Sequence, residues 1–139
     1  MCAAPPPHAT GGDDGGDDGD DAGIADAALV VLQVLPAMTV GGVERGVVEV
    51  AKHLRARRVR GLVASADGPL VAQLEGVPHN CLGLLRSKNP LNVLWRAPLA
   101  LRRVIREHRV SVIHARSRTS AWSAWLASIS KVVYIASFT

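Results

Sequence analysis

Residues 27–57, AALVVLQVLPAMTVGGVERGVVEVAKHLRAR, decide the fold of this 139-residue chain. Residues 28–35 are almost continuously apolar and rich in valine, which is typical of a strand buried on both faces of a parallel sheet. After a break at residues 36–42, apolar side chains recur at the spacing of one helix face, at Val43, Val47, Val50, Ala51 and Leu54. The stretch therefore predicts a strand in the middle of a sheet, a glycine turn and an amphipathic helix.

The turn contains two adjacent glycines, Gly41 and Gly42. A helix that begins at Gly42 or Val43 points its unpaired N–H groups, and the positive end of its dipole, over the carboxyl end of the strand. Such a helix end suits an anionic group such as a phosphate, and glycine lets that group approach the backbone. A plain tight turn explains the same two glycines equally well.

The first 26 residues differ in composition from the rest, with seven Asp and no Lys, Arg or aromatic residue. Such a segment buries too little apolar surface to offset its ordering entropy, so we predict a disordered acidic tail over residues 1–26 and one domain over residues 27–139. The acidic residues before the first apolar run are unlike a secretory signal, and no uncharged apolar stretch reaches the ~20 residues of a membrane span. These features predict a cytoplasmic protein.

Residues 27–139 carry 16 basic and five acidic side chains, a formal excess of 11 positive charges. A basic surface of this kind attracts phosphates, nucleic acid or anionic lipid, and charge alone does not choose among them. The two cysteines, Cys2 and Cys81, give neither a disulfide framework nor the spacing of metal ligands. We therefore expect no metal.

The remaining pattern alternates strands with helices. Strands are predicted at residues 61–66, 77–85, 110–115 and 132–137, and helices at residues 70–75, 91–108 and 119–129. This order predicts an α/β, Rossmann-like fold, in which a parallel sheet with right-handed crossovers has helices on both faces. Pro98 is expected to kink its helix, because an interior proline removes a hydrogen bond.

Helix 91–108 combines an apolar set that includes Leu91, Leu94 and Trp95 with a series of arginines from Arg96 to Arg109. Such a helix either lies on an anionic membrane or packs on the sheet with a solvated arginine face. Aromatic residues are few, and we expect them to serve core packing rather than base stacking: Trp95, Trp122, Trp125, Tyr134 and Phe138. No nucleic-acid partner is therefore predicted.

Several segments together resemble a known family. They are VLQVLPAMTVGGVERGVVEVAKHL, LVASADGPLVAQLE, SKNP, VIHARSR and YIASF, spread over residues 29–139. They are similar to the N-terminal domain of retaining GT-B glycosyltransferases of the glycogen synthase and phosphatidylinositol mannosyltransferase type. The likeness is closest to bacterial members that build lipopolysaccharide or other surface polysaccharides.

The resemblance implies a two-lobed enzyme that moves a sugar from a nucleotide-sugar donor to a glycan or lipid-linked acceptor, with no cofactor. In that family the glycine turn, here Gly41 and Gly42, contacts the donor phosphates. The acceptor side of the cleft corresponds to His114, Arg116, Ser117 and Arg118, with Lys88 and Asn89 as further candidates. The resemblance assigns no catalytic residue here. A structural histidine at a strand end explains His114 better than a catalytic base, and a helix cap explains Lys88 and Asn89 as well as a binding role does.

The resemblance also implies a C-terminal lobe that binds the donor and carries a pair of glutamates, and no two Glu of this chain have that spacing. We therefore expect a chain truncated at its C-terminal end and inactive by itself. Membrane attachment would suit a lipid-linked acceptor. Two other functions stay open at this stage: a nicotinamide-dependent Rossmann domain, whose G-x-G-x-x-G spacing the glycines lack, and a basic binding module that is not an enzyme.

Overall fold

The computed structural model describes residues 29–128 and 132–137. The predicted acidic tail lies outside these residues, as do Ala28, Ile129 and Phe138. Within the described ranges, five parallel strands form one sheet in the order β3-β2-β1-β4-β5. The strands are β1 (Val30–Ala37), β2 (Arg60–Ala66), β3 (His79–Cys81), β4 (Val112–Ala115) and β5 (Val133–Ala136). The predicted central position of the first strand is confirmed.

Helices cover both faces of this sheet, as predicted. They are α1 (Gly42–Ala56), α2 (Ala97–His108) and α3 (Arg118–Ala127). One core lies under α1, where Val47, Val48 and Ala51 pack on Leu35 and Val63. A larger core lies on the opposite face, where α2 and α3 pack on the other side chains of β1, β2 and β4. The alternation along each strand thus places two separate cores on one sheet.

Two predicted elements are shorter or tighter than expected. The strand predicted over residues 77–85 is paired only at His79–Cys81, and Gly83–Arg86 turns into a 3-10 helix. Pro78 has no N–H for a strand ladder and Gly83 weakens extended structure, so the apolar run overstated the strand. The helix predicted over residues 70–75 is a 3-10 helix at Pro69–Gln73.

The irregularity expected at Pro98 lies in the turn before it. Residues 90–108 are helical throughout, but Asn92–Arg96 form a π turn and α2 begins with Pro98 in its first turn. A proline is tolerated there because its missing N–H falls where the regular α-helical pattern restarts.

Three tryptophans predicted to be core residues are exposed. The exposed fractions are 68% for Trp95, 59% for Trp122 and 52% for Trp125, and Trp122 and Trp125 stack edge to face. Leu91 and Leu94 are exposed as well, because α2 buries Ala97, Pro98, Leu101 and Val104 on its sheet side. The prediction of a core role for these tryptophans was wrong.

Candidate functional site

The carboxyl ends of β1 and β4 lie side by side, so the two segments predicted to bind ligands meet. The strands pair in register from Val31 with Val112 to Val34 with Ala115, and the amide of Arg116 donates to the Val34 carbonyl. An open cleft of about 460 Å³ lies at this edge, and it is lined by Leu35, Pro36, Val43, Glu44, Arg116, Ser117 and Arg118. Parallel sheets place ligands at this edge, where strand order reverses.

The glycine turn forms one wall of the cleft. Gly41 is the extended residue just before α1, and no side chain caps the amides of the first turn. A side chain at Gly42 would meet open space. The first-turn N–H groups therefore have no side-chain cap, and phosphate binding by the Gly41–Gly42 turn stays a prediction.

Glu44 is the cleft residue that sequence reasoning did not assign to the site. Its carboxylate folds back over Gly41, so closely that a Cβ at Gly41 would overlap it, and one carboxylate oxygen accepts a hydrogen bond from Thr39 Oγ1 at 3.1 Å. A carboxylate at a helix N-terminus is favourable. An anion that approached the turn would therefore meet the negative charge of Glu44.

Arg116 projects from the end of β4 onto α1. A Cβ on Gly46 would lie 3.0 Å from one terminal nitrogen of the guanidinium, so glycine at this position leaves the space that Arg116 occupies. The Nε atom is buried without a hydrogen-bond partner, and among the described residues no ion pair includes Arg116. Burial lowers the pKa of this guanidinium from its usual value. Arg116 is thus a positioned, unneutralised cation beside a helix N-terminus.

Gly46 is the sequence signal of this contact. A glycine inside an amphipathic helix costs about 1 kcal/mol relative to alanine, so it indicates either a weak helix or a close approach by another group. Here it marks the contact with Arg116.

The other predicted site residues divide into two groups. Ser117 caps α3, because its hydroxyl accepts from the Ser120 amide at 3.2 Å, and Arg118 is exposed in the first turn of the same helix. Both line the cleft. Lys88 and Asn89 are exposed and do not line it, and the Asn89 side chain accepts from the Leu91 amide at 3.0 Å. The helix-cap interpretation fits Asn89.

His114 lies next to the cleft rather than in its lining. It is half-buried on β4 beside Gln33 of β1, and its Nε2 lies 2.8 Å from the Ser137 hydroxyl. Burial, and to a smaller degree the charge of Arg116, lowers the pKa of His114 from its usual value. A histidine kept neutral and hydrogen-bonded at a strand end fits the structural interpretation.

Metal-ligand clusters and membrane-spanning helices are both absent from the described residues. Within residues 29–128 and 132–137, no three His, Cys, Asp or Glu side chains come together as possible metal ligands. No helix in the same ranges has both the length and the apolar character to cross a membrane.

Comparison with known proteins decides the family. Residues 40–138 match the family model of Glycosyltransferase Family 4. The chain belongs to this family. It is also similar to the crystal structure of a glycosyltransferase from Rickettsia africae ESF-5, with 34% identity and a TM-score of 0.68 over 78% of this chain and 29% of that one. Comparison with curated proteins found no match.

The comparisons confirm the resemblance seen in the sequence and the Rossmann-like α/β fold class. The chain spans less than a third of the length of the Rickettsia glycosyltransferase, so it corresponds to part of such an enzyme. The nicotinamide-dependent alternative finds no support in this family.

Proposed function

We propose that this chain forms the acceptor-side part of an enzyme that transfers a sugar from a nucleotide-sugar to a glycan or lipid-linked acceptor in cell-surface polysaccharide synthesis. The observation that carries the proposal is the pairing of Arg116 with the N-terminus of α1 in one cleft. Amides of the Gly41–Gly42 turn bind a donor phosphate, and a C-terminal lobe supplies the rest of the nucleotide-sugar site.

Arg116 and Arg118 then bind an anionic group of the acceptor. A guanidinium fork suits carboxylate or phosphate oxygens, and a cation that already lacks a partner gives up no ion pair when the ligand arrives. Ser117 holds the start of α3 and so positions Arg118 at the rim. The residues present bind and orient the substrates, and no step of the transfer is assigned to a side chain of this chain.

The turn and Arg116 share one cleft, so the anion site can be tested on the chain as it stands by calorimetric titration with inorganic pyrophosphate, a probe for a phosphate group from either substrate. Arg116→Gln should weaken binding about tenfold or more, since a hydrogen bond to a charged group contributes about 1.5–3 kcal/mol. Glu44→Gln should tighten it, because a negative charge leaves the turn. The matched control is Arg103→Gln, since Arg103 is 81% exposed and pairs with Glu107 on α2. Equal binding by the Arg116→Gln and parent chains would refute the proposed site.

Sugar transfer itself needs the donor-binding lobe. The chain joined to such a lobe should transfer from UDP- or GDP-sugars, and Arg116→Gln should reduce transfer to the acceptor more than it reduces slow hydrolysis of the donor. Equal losses in both reactions would mean that Arg116 serves the donor and not the acceptor.

A second observation supports attachment of the enzyme to the cytoplasmic membrane face. Six exposed apolar side chains occur on two neighbouring elements, residues 90–108 and α3, and we call them the tryptophan surface: Leu91, Leu94, Trp95, Leu99, Trp122 and Trp125. The Ser123 hydroxyl donates to the Val93 carbonyl at 2.8 Å, which joins the two elements. Exposed tryptophans beside arginines suit the headgroup region of an anionic bilayer.

Vesicle cosedimentation tests this attachment. The chain should bind vesicles that contain phosphatidylglycerol and not pure phosphatidylcholine, and Trp95→Ser with Trp122→Ser should abolish binding. Val133→Ser is the control, since Val133 is similarly exposed, at 59%, but lies on β5. Arg102 donates to the Leu126 carbonyl and Arg103 pairs with Glu107, so replacing these arginines should have a smaller effect than replacing the tryptophans. Unchanged binding by the tryptophan variant would indicate that this surface packs against protein instead.

A further inference from the structure

The opposite edge of the sheet, where the strands begin, has a dense positive charge that the proposed function does not use. Both α1 and α2 end at this edge, and β2 starts there. We call its four arginines, with the histidine that contacts one of them, the basic edge: Arg57, Arg58, Arg60, His108 and Arg109. Arg60 and His108 join the two sides, with a guanidinium nitrogen 3.2 Å from the His108 Nδ1 atom.

Two of these arginines stand where glycine is favoured. Arg58 has φ 57° and Arg109 has φ 51°, both in the left-handed region. Each terminates a helix in the same way, because the following amide returns to the carbonyl five residues earlier: Val59 to Leu54 at 2.9 Å and Val110 to Ile105 at 3.0 Å. Glycine avoids the steric cost of this conformation. The chain instead places a long cation at both helix ends.

The described acids leave the basic edge unneutralised. The two ion pairs found in residues 29–128 and 132–137 are Lys52 with Glu49 and Arg103 with Glu107, and neither includes a member of the edge. The positive charge there therefore lacks an acidic partner among the described residues.

The N-terminal acidic segment joins the fold at this same edge. Val30, the first residue of β1, is in register with Arg60, and its amide donates to the Ser111 hydroxyl beside β4. Asp26 is four residues before Val30, so its Cα lies within about 14 Å of that of Val30 in any conformation. Seven Asp occur in residues 13–26, without a single Lys or Arg. A tether this short maintains an effective concentration on the order of millimolar, enough for a weak contact.

We propose that the acidic segment of residues 13–26 binds the basic edge of its own chain and masks it from other polyanions. The contact is an electrostatic one between carboxylates and exposed arginines, and it leaves the cleft at the carboxyl edge free for anionic substrates. The acidic segment thus covers the basic edge, and its carboxylates keep nucleic acid and anionic lipid away from these arginines.

The test compares the full chain with a neutralised chain, in which all seven Asp of residues 13–26 are replaced by Asn. Backbone amide NMR shifts at the basic edge should differ between the two at low salt. They should converge at ~0.5 M NaCl, where the Debye length is only a few Å. The neutralised chain should also bind heparin, used as a probe polyanion, about tenfold more tightly, because unmasked positive charge attracts polyanions. The shift differences should not depend on protein concentration.

Two variants keep the test specific. The edge variant combines Arg57→Gln, Arg58→Gln and Arg60→Gln, and it should remove the gain in heparin affinity that neutralisation of the acidic segment causes. The control variant combines Arg102→Gln, Arg103→Gln and Arg106→Gln on α2, and it should preserve that gain. Identical spectra and heparin affinities for the full and neutralised chains would overturn the proposal. A gain in heparin affinity that persists in the edge variant would also overturn it, because the acidic segment would then mask another surface. Shift differences that grow with protein concentration would overturn it as well, because they indicate a contact between molecules.

Discussion

The two edges of the sheet both present arginines, but they hold them differently. At the carboxyl edge, Arg116 is half-buried and rests against Gly46 of α1. At the amino edge, Arg57, Arg58 and Arg109 are exposed. A positioned cation can recognise the shape of one anionic group, whereas exposed cations attract any polyanion and are screened by salt. Under the two proposals above, the same residue type provides selective binding at one edge and general attraction at the other.

The largest effect on the carboxyl edge is expected from a substitution that displaces the turn forming the cleft. Gly68 lies against the backbone of Met38, and a Cβ there would overlap the Met38 carbonyl, which also accepts from the Leu70 amide at 3.1 Å. Overpacking of this kind costs typically 1–3 kcal/mol. Gly68→Ala should lower the free energy of unfolding by about 2 kcal/mol in urea denaturation.

The same substitution should weaken pyrophosphate binding, because residues 38–41 lead into the glycine turn. Gly83→Ala is the control, since a Cβ at Gly83 meets open space. If Gly68→Ala were as stable as Gly83→Ala, the contact with Met38 would not restrain the turn.

At the amino edge, the arginine at a helix end should oppose stability. In the neutralised chain, Arg58→Gly should raise the free energy of unfolding by about 1 kcal/mol, since the left-handed conformation costs an ordinary residue roughly 1–2 kcal/mol. In the full chain the gain should be smaller, because the substitution also removes a contact with the acidic segment. Urea denaturation of the full and neutralised chains, each with and without Arg58→Gly, completes a double-mutant cycle. An equal gain in the free energy of unfolding in both backgrounds would show that Arg58 does not contact the acidic segment.

Gly46 allows stability and binding to be separated at the carboxyl edge. Gly46→Ala should stabilise α1 by about 0.5–1 kcal/mol through helix propensity and weaken pyrophosphate binding several-fold, because the new methyl displaces the Arg116 guanidinium. Urea denaturation and calorimetry measure the two effects. A stabilised chain with unchanged affinity would mean that Arg116 reaches the ligand from another position.

Sequence periodicity predicted most of the fold, because only a strand buries the valine-rich run of β1 on both faces and only a helix places the apolar residues of α1 on one face. It failed for the tryptophans, because a helical pattern identifies an apolar face but not which neighbour covers it. Trp95 belongs to the face predicted to be apolar, yet the side chains that reach the sheet are Leu101 and Val104, six and nine residues later. The Gly41–Gly42 turn was predicted from the pattern of strand, glycines and helix as well as from the resemblance, whereas the binding roles at the end of β4 came from the resemblance. The contact between Arg116 and Gly46 was not predicted, because it depends on how two distant segments cross.

Acid should lower the stability of the fold through two histidines, and this is the smallest expected effect. Burial lowers the pKa of His114, and the charge of Arg116 lowers it further. Burial also lowers the pKa of His79, whose Nε2 lies 2.8 Å from the Ser65 hydroxyl, and the charge of Asp67 partly offsets that lowering. Between these lowered values and the ordinary 6.5, the unfolded chain binds more protons than the folded chain, so stability falls as pH falls. The melting temperature should therefore decline from pH 7 towards pH 5. Replacing both histidines by Gln should flatten that decline, and parallel profiles for variant and parent would place the acid sensitivity in other groups.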